Sequence, residues 1–224
     1  SKKYIKHLVF IFILGALQGG MGWYMVMSGL VDHPDVSQYR LTAHLGLALL
    51  IYAYIFWIGL DMLRGGSTST GQLSGFGKAV VALVALTILS GGFVAGTNAG
   101  MIYNTFPLME GHLIPADYSW ANNGAFENLA TIQFNHRLLA VITFTAICGL
   151  FFVSFRRQIS KTARVAVIHL LVMAVIQVIL GISTLLLSVP VVLAAAHQAG
   201  AVILLSFALW SAYELRPGGT IGAA

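Results

Sequence analysis

The sequence predicts an all-α polytopic membrane protein, and two observations lead to this prediction. First, 58% of the 224 residues are hydrophobic and only 8% are charged, with a mean hydropathy of +0.86. A soluble domain has about 25% charged residues, so this chain has too few to cover a surface that faces water. Second, the apolar residues collect into six runs that are each long enough to cross a bilayer. Backbone groups in lipid must bond within their own segment, so each run is expected to be a helix.

The six predicted spans are joined by connections of very different lengths. They cover residues 8–30, 41–60, 79–97, 138–155, 165–188 and 191–213. A polar segment, 156–164, separates the fourth span from the fifth, and Pro190 lies in the very short turn before the sixth. The last two spans are therefore expected to be antiparallel neighbours. The longest connection, 97–133, has three acidic residues and no lysine.

The distribution of lysine and arginine predicts the orientation of the spans. Ten of the twelve cations lie on one side: Lys2, Lys3, Lys6, Arg64, Lys78, Arg156, Arg157, Lys161, Arg164 and Arg216. Only Arg40 and Arg137 lie on the other side. This bias predicts that the first set faces the cytoplasm, or the equivalent matrix, and that residues 97–133 face outwards.

Three further features of the sequence limit the interpretation. The net charge of +5 does not indicate nucleic-acid binding, because the basic residues lie in short clusters between apolar spans. The single cysteine, Cys148, lies inside a span, so it can form no intrachain disulfide and is predicted to be a packed residue. The first residue is Ser1, and the long apolar run after it lacks a small-residue cleavage site, so it is not predicted to be a signal peptide.

An internal repeat relates the first two spans to the last two. It is defined by four pairs: His44 with His197, Asp61 with Glu214, Gln18 with Gln177, and Gly22 with Gly181. His136 lies 61 residues before His197, and the same offset before His44 falls upstream of residue 1. The repeat therefore predicts two halves of four spans each. Residues 1–66 would hold two spans of a truncated first half, and residues 67–224 the complete second half.

Three of the seven histidines are predicted to be functional. His44, His136 and His197 each lie at or just inside the outer end of a span, where ionisable groups are costly and usually functional. Each could instead be a neutral histidine that bonds a neighbouring helix, but three at one depth on repeated elements favour a ligand role. The other four are assigned no role: His7 and His169 near the cytoplasmic side, and His33 and His112 in outer loops.

The chemistry of these residues favours heme as the ligand. Soft-metal sites need cysteines and hard cations need several carboxylates, and the spans offer neither set. Two neutral imidazoles on separate antiparallel helices suit the axial positions of a heme in a four-helix bundle. Arg137 beside His136, and Arg40 one turn before His44, are expected to bind the propionates; the alternative for Arg137 is snorkelling to the headgroups. Two neighbours are candidates for fixing the rings: Asn135 and Gln198.

Two distinctive stretches begin the outer connection. The stretch "SGGFVAGTNAG" ends the third span and allows close helix contact and an irregular exit. The stretch "YNTFPLMEG" follows, and it is predicted to be an ordered loop because Pro, Phe, Leu and Met are unusual in a disordered linker. It is either a lid over the edge of a cofactor or an interfacial loop with an aromatic anchor.

The chain resembles the heme A synthase family of proteobacteria and mitochondria. The motifs that carry the resemblance, in the family's order, are "LGALQGGMGWYMVMSGL", "VSQYRLTAHL", "GGFVAGTNAGMIYNTFPLMEGHLIP", "QFNHR" and "HQAGAV". The resemblance implies two four-helix halves in the bacterial inner membrane, each with two histidines around a heme near the periplasmic face. His136 and His197 match the pair that holds a resident heme b. His44 matches one histidine of the half in which heme O is oxidised to heme A, a methyl substituent becoming a formyl group.

The chain departs from the family at one motif. The family's Glu-x-x-His-Arg motif would lie in helices absent from this sequence, and its second-half counterpart begins with Gln133, which cannot shuttle protons as a carboxylate does. The 224-residue chain alone is therefore expected to be inactive. The expected partners are the lipid bilayer, heme O, heme O synthase, oxidase assembly proteins, an unidentified electron acceptor and a second copy of the chain. The alternatives to an enzyme are a b-type cytochrome that only transfers electrons and a non-catalytic oxidase assembly factor.

Overall fold

The computed structural model describes residues 4–27, 36–64 and 71–218, and it is helical. Its α-helices are α1 (Ile5–Met27), α2 (Gln38–Arg64), α3 (Ser74–Gly96), α4 (Gly124–Glu127), α5 (Leu129–Arg156), α6 (Lys161–Leu186) and α7 (Val191–Leu215). All except α4 are long and apolar enough to cross a membrane. An isolated β-bridge joins Met109 and His112. The predicted all-α polytopic membrane fold with six spans is confirmed.

Some predictions fall on residues outside these ranges. They are the cytoplasmic placement of Lys2 and Lys3, the outer placement of His33, and the division between residues 66 and 67.

Helix α5 begins at Leu129, well before the predicted span that starts at residue 138. The side chain of Asn128 caps the helix by accepting a hydrogen bond of 2.8 Å from the backbone N–H of Thr131. Hydropathy locates the apolar part of a helix, whereas the cap determines where the helix starts. His136 therefore lies about two turns inside α5 rather than at its mouth.

Helices α3, α5, α6 and α7 form a four-helix bundle, because each packs against two others of the set. The bundle core includes Val84, Ile147, Leu170 and Leu205, each at most 1% exposed. Helix α2 packs against α3 and α7, and α1 packs against α2. Lipid is as apolar as these side chains, so close van der Waals contact holds the helices together more than the exclusion of water does.

The glycines that end α3 allow α2 to approach closely, as the sequence predicts. A Cβ built on Gly96 would lie 2.8 Å from the Cα of Gln38, and one on Gly92 would lie 3.1 Å from Thr42 Oγ1. The first contact is with backbone, which cannot rotate away.

We expect the substitution Gly96→Ala to destabilise the fold by about 1–3 kcal/mol, because it forces α2 away from α3. Thermal unfolding in detergent would measure the change. Gly75→Ala on the same helix is the matched control, since a Cβ there meets nothing within 4 Å. Equal melting temperatures for the two variants would contradict the close contact.

Two ion pairs join the C-terminal ends of α2 and α7. Arg64 Nη1 lies 3.5 Å from Glu214 Oε1, and Arg216 Nη2 lies 3.5 Å from Asp61 Oδ1. Asp61 and Glu214 are equivalent in the sequence repeat, so each helix contributes one acid and one base. We call these four residues the crossed clasp.

Two tryptophans repeat the same symmetry. The guanidinium of Arg64 lies 5.2 Å from the ring centroid of Trp210, and that of Arg216 lies 5.8 Å from Trp57. Trp57 follows His44 at the distance along the chain at which Trp210 follows His197. The repeat that the sequence shows in α2 and α7 is therefore also a repeat of contacts.

Candidate heme site

Each of the three predicted histidines rests against a glycine of another helix. The pairs, with the distance from an ideal glycine Cβ to the histidine Cε1, are Gly22 with His44 (3.3 Å), Gly91 with His136 (3.3 Å) and Gly181 with His197 (2.9 Å). By contrast, a Cβ on Gly19 would meet nothing within 4 Å. The absence of a side chain at these three glycines, the notch glycines, lets each imidazole lie directly against the neighbouring helix.

A glutamine supports the histidine helix in two of the three cases. Gln177 Nε2 donates to the backbone carbonyl of His197 at 2.6 Å, and Gln18 Nε2 donates to that of His44 at 3.2 Å. Each glutamine lies four residues before its notch glycine. The repeated Gln and Gly spacing in the sequence therefore corresponds to one repeated structural contact.

Gln18 also contacts the imidazole of His44. Its Nε2 lies 3.2 Å from His44 Nε2. An amide nitrogen can only donate, so His44 Nε2 is the acceptor and its lone pair points at Gln18.

The structure places His136 and His197 in one four-helix bundle and His44 outside it. His136 lies on α5 and His197 on α7. His136 Nδ1 bonds Ser90 Oγ on α3 at 2.7 Å. His44 lies on α2, outside this bundle.

The loop after α3 is tied to the N-terminal part of α5, beside His136. Arg137 donates to the carbonyls of Tyr103 at 2.8 Å and Thr105 at 3.0 Å. Gln133, only 2% exposed, also donates to the Tyr103 carbonyl at 3.1 Å. Asn104 Nδ2 donates to the carbonyl of Leu185, the next-to-last residue of α6, at 2.9 Å. The prediction of an ordered loop at "YNTFPLMEG" is confirmed.

The phenol of Tyr103 is a further anchor of this loop. It donates to Asp117 Oδ2 at 3.2 Å. Burial, and then the neighbouring Asp117 carboxylate, raise the pKa of Tyr103 above its ordinary value. The phenol therefore stays protonated and keeps this hydrogen bond at and above neutral pH.

Comparison with known proteins assigns the chain to a family. Residues 1–209 match the COX15-CtaA family model, described as cytochrome oxidase assembly protein. The chain belongs to this family. It is 56% identical over 216 residues to the heme A synthase of Nitrosospira multiformis, and the aligned residues cover 92% of this chain and 60% of the relative. It is 49% identical over 218 residues to the heme A synthase of Nitrosomonas eutropha, with 93% and 61% covered.

A mitochondrial-type relative is also similar. The heme A synthase COX15 of Bos taurus is 46% identical over 217 residues, which cover 91% of this chain and 52% of the relative. The chain thus spans between half and three fifths of the length of these relatives.

Sequence reasoning missed the residues that hold the rings in this family member. Asn135 and Gln198 were expected because they adjoin the histidines, but within the described ranges neither bonds an imidazole, and Gln198 is exposed. Neighbours along a helix point in other directions, so adjacency was the wrong signal. The four-residue spacing of glutamine and notch glycine was a better one, because it is present in both repeats.

The other histidines make ordinary contacts. His7 Nδ1 bonds the Tyr54 hydroxyl at 2.7 Å. His169 lies about two turns inside α6, and its Nδ1 bonds the carbonyl of Val165 on its own helix at 2.8 Å. His112 is exposed in the outer loop.

A heme fits this donor set better than a bare metal ion does. In the part of the chain that the structure describes, no group of three or more His, Cys, Asp or Glu side chains could hold an ion. Two imidazoles on facing helices are the number that a heme needs, because the porphyrin supplies the other four ligands of the iron. The Nε of Arg137 is buried and has no hydrogen-bond partner among the described residues, so this donor remains available for a propionate.

We expect Arg137→Leu to loosen the outer loop, because the carbonyl of Thr105 loses this donor and Tyr103 keeps only Gln133. Hydrogen exchange measured by mass spectrometry should increase in residues 101–112. Arg40→Leu is the control, since the Arg40 guanidinium lies 5.0 Å from the Tyr24 ring, on the α1–α2 side of the protein. Unchanged exchange in the Arg137 variant would show that the loop does not depend on this side chain.

Proposed function

We propose that this chain carries the heme-binding histidines of a heme A synthase. The whole protein would oxidise a methyl substituent of heme O to the formyl group of heme A, for the assembly of a terminal cytochrome oxidase. The observation that carries the proposal is the pairing of His136 and His197 inside one four-helix bundle, in a member of this family. The relatives named heme A synthase support the choice of reaction.

His136 and His197 would hold a resident heme b. When bound there, heme b supplies a low-spin iron that accepts and passes on single electrons. The chain contributes the rest of the site. Gly91 and Gly181 leave room for the imidazoles, and Arg137 offers its free Nε–H to a propionate.

His44 would serve the second site, at which heme O binds and heme A leaves. It has the same support as His197, a notch glycine and a glutamine, but on the α1–α2 side of the protein. Gln18 must release His44 Nε2 before an iron can bind this nitrogen. This arrangement suits a histidine that binds iron only while a substrate heme is present.

We also propose how the chain divides into two halves and how it is oriented in the membrane. Residues 1–66 would form part of one half of the protein and residues 67–224 the other. The membrane would be the bacterial inner membrane, with the three histidines near its periplasmic face, since the ten-to-two cation bias favours this orientation.

Reporter fusions test this orientation. Alkaline phosphatase fused after Gly111 should be active, because the outer loop would be periplasmic, and the same reporter fused after Gln158 should be inactive. A fluorescent protein that folds only in the cytoplasm should give the opposite pattern. Cytoplasmic placement of the loop at Gly111 would refute the orientation.

The function is tested by pigment extraction. The complete reading frame that contains these 224 residues is expressed in a host that makes heme O but no heme A, and the hemes are separated by chromatography. We expect heme A to appear. The protein would instead be the electron-transferring cytochrome if it makes no heme A but binds, through His136 and His197, a heme that can be reversibly reduced. A protein without heme or product would be an assembly factor.

A further inference from the structure

The three notch glycines differ in the residues beside them, and the difference singles out Ser90. In α1 and α6, a glutamine lies four residues before the glycine. In α3, that place is taken by Thr87, and the residue immediately before Gly91 is Ser90. The corresponding residues before the other two notch glycines, Met21 and Leu180, carry no hydroxyl.

Only one of the three histidines consequently has a side-chain partner for Nδ1. Ser90 Oγ lies 2.7 Å from His136 Nδ1. The Nδ1 atoms of His44 and His197 are buried without a partner in hydrogen-bonding geometry among the described residues. The carbonyl of Gln177 lies close to the His197 ring but does not meet that geometry.

The contacts of Ser90 determine which nitrogen of His136 carries the proton. Its Oγ lies 2.8 Å from the backbone carbonyl of Thr87, which can only accept. A serine hydroxyl has one proton, so both contacts are hydrogen bonds only if Ser90 donates to Thr87 and accepts from His136 Nδ1–H. His136 is then the Nδ1–H tautomer, and its Nε2 carries a free lone pair.

The hydrogen bonds from His136 to Ser90 and from Ser90 to Thr87 end on a backbone carbonyl that is held in place by α3. The Thr87 carbonyl belongs to α3, and the hydroxyls of Thr87 and Thr143 bond across α3 and α5 at 2.7 Å, one turn below Ser90. The imidazole of His136 is therefore held at its Nδ1 side by Ser90 and at its Cε1 by Gly91. Both the tautomer and the rotation of the ring are set by α3.

We propose that Ser90 is a positioning residue for His136: it presents Nε2 as the iron-binding nitrogen and increases electron donation from the imidazole to the iron. The inference rests on the proposed function, because it assumes that His136 ligates a heme. A hydrogen bond from Nδ1–H makes the ligand more basic, which favours ferric over ferrous iron and lowers the midpoint potential.

The test compares Ser90→Ala, Ser90→Thr and Ser154→Ala in the complete protein purified in detergent. Ser154 is the matched control. It lies near the C-terminal end of α5, far along the helix from His136, and its hydroxyl donates to the carbonyl three residues before it, that of Phe151, at 2.7 Å. We measure the heme content, the midpoint potential by redox titration, and the g-values of the ferric heme by electron paramagnetic resonance.

We expect Ser90→Ala to raise the midpoint potential and to change the g-values, because the ring loses its hydrogen bond and can rotate. Ser90→Thr, which keeps the hydroxyl, and Ser154→Ala should resemble the parent. If Ser90→Ala loses its heme, recovery of heme by Ser90→Thr supports the proposal and equal loss in both overturns it. An unchanged potential and spectrum in Ser90→Ala also overturn it. Failure of the proposed function would give a different result. Either the parent protein would lack a low-spin heme, or the His136→Ala variant would retain it.

Discussion

Replacing either His136 or His197 by alanine should remove the low-spin heme from the purified protein. Each substitution would remove one of the two imidazoles proposed to bind the iron and would leave a space beside a notch glycine. The remaining histidine can give at most a five-coordinate iron, which has a high-spin spectrum and binds more weakly. Absorption spectra of the reduced protein and the ratio of heme to chain measure the loss.

Two further variants make this result specific. His169→Ala should keep the parent spectrum, because the His169 imidazole bonds its own helix. Gly181→Val keeps both histidines but places a side chain where a Cβ alone would lie 2.9 Å from His197 Cε1, so it should displace the ring and lower heme retention. An unchanged low-spin spectrum in both alanine variants would show that other residues bind the iron.

His44→Ala should abolish heme A formation while leaving the resident heme in place. His44 lies on α2, whereas the resident heme would be held by α5 and α7, so the two sites are separable by mutation. The complete reading frame is expressed with a supply of heme O, and the extracted hemes are compared with the low-spin spectrum of the purified protein. We expect a parent-like spectrum and no heme A.

A nearby substitution controls for general damage to α2. Gly59→Ala changes the same helix at a site where a Cβ meets nothing within 4 Å, and it should retain activity. If His44→Ala makes as much heme A as the parent, His44 is not a ligand in the reaction. If it instead loses the resident heme, the two sites are not independent.

The sequence was sufficient for those features that depend on local composition. Six apolar runs are enough to predict six helices, because lipid leaves the backbone no other way to bond. The positions of His44 and His197 in their runs, together with the repeat that pairs them, predict that they are related residues. The loop from Tyr103 was recognisable because its apolar residues need something to pack against.

The features that the sequence could not predict join residues far apart in the chain. Ser90 bonds His136 and Gln133 bonds Tyr103, and no spacing rule connects such pairs before the helices are assembled. The start of α5 at Leu129 depends on a single cap by Asn128, which a hydropathy average does not register. The predicted partners Asn135 and Gln198 were wrong for the same reason, since only the packing of α3 and α6 decides which side chain meets each ring.

The crossed clasp has a consequence for the biosynthesis of the protein. Asp61 and Arg64 lie near the end of α2, and their partners Glu214 and Arg216 lie at the end of α7. Glu214 leaves the ribosome 150 residues after Arg64. At about 5–20 residues per second, this is a delay of roughly 8–30 s.

During that interval α2 has already been synthesised, but neither ion pair can form. The relative position of α2 and α7 is therefore fixed only after translation has passed residue 216, and a nascent chain arrested before α7 should insert α2 without fixing it. Site-specific crosslinking between the positions of Arg64 and Glu214 on stalled ribosomes would then report when α7 docks against α2.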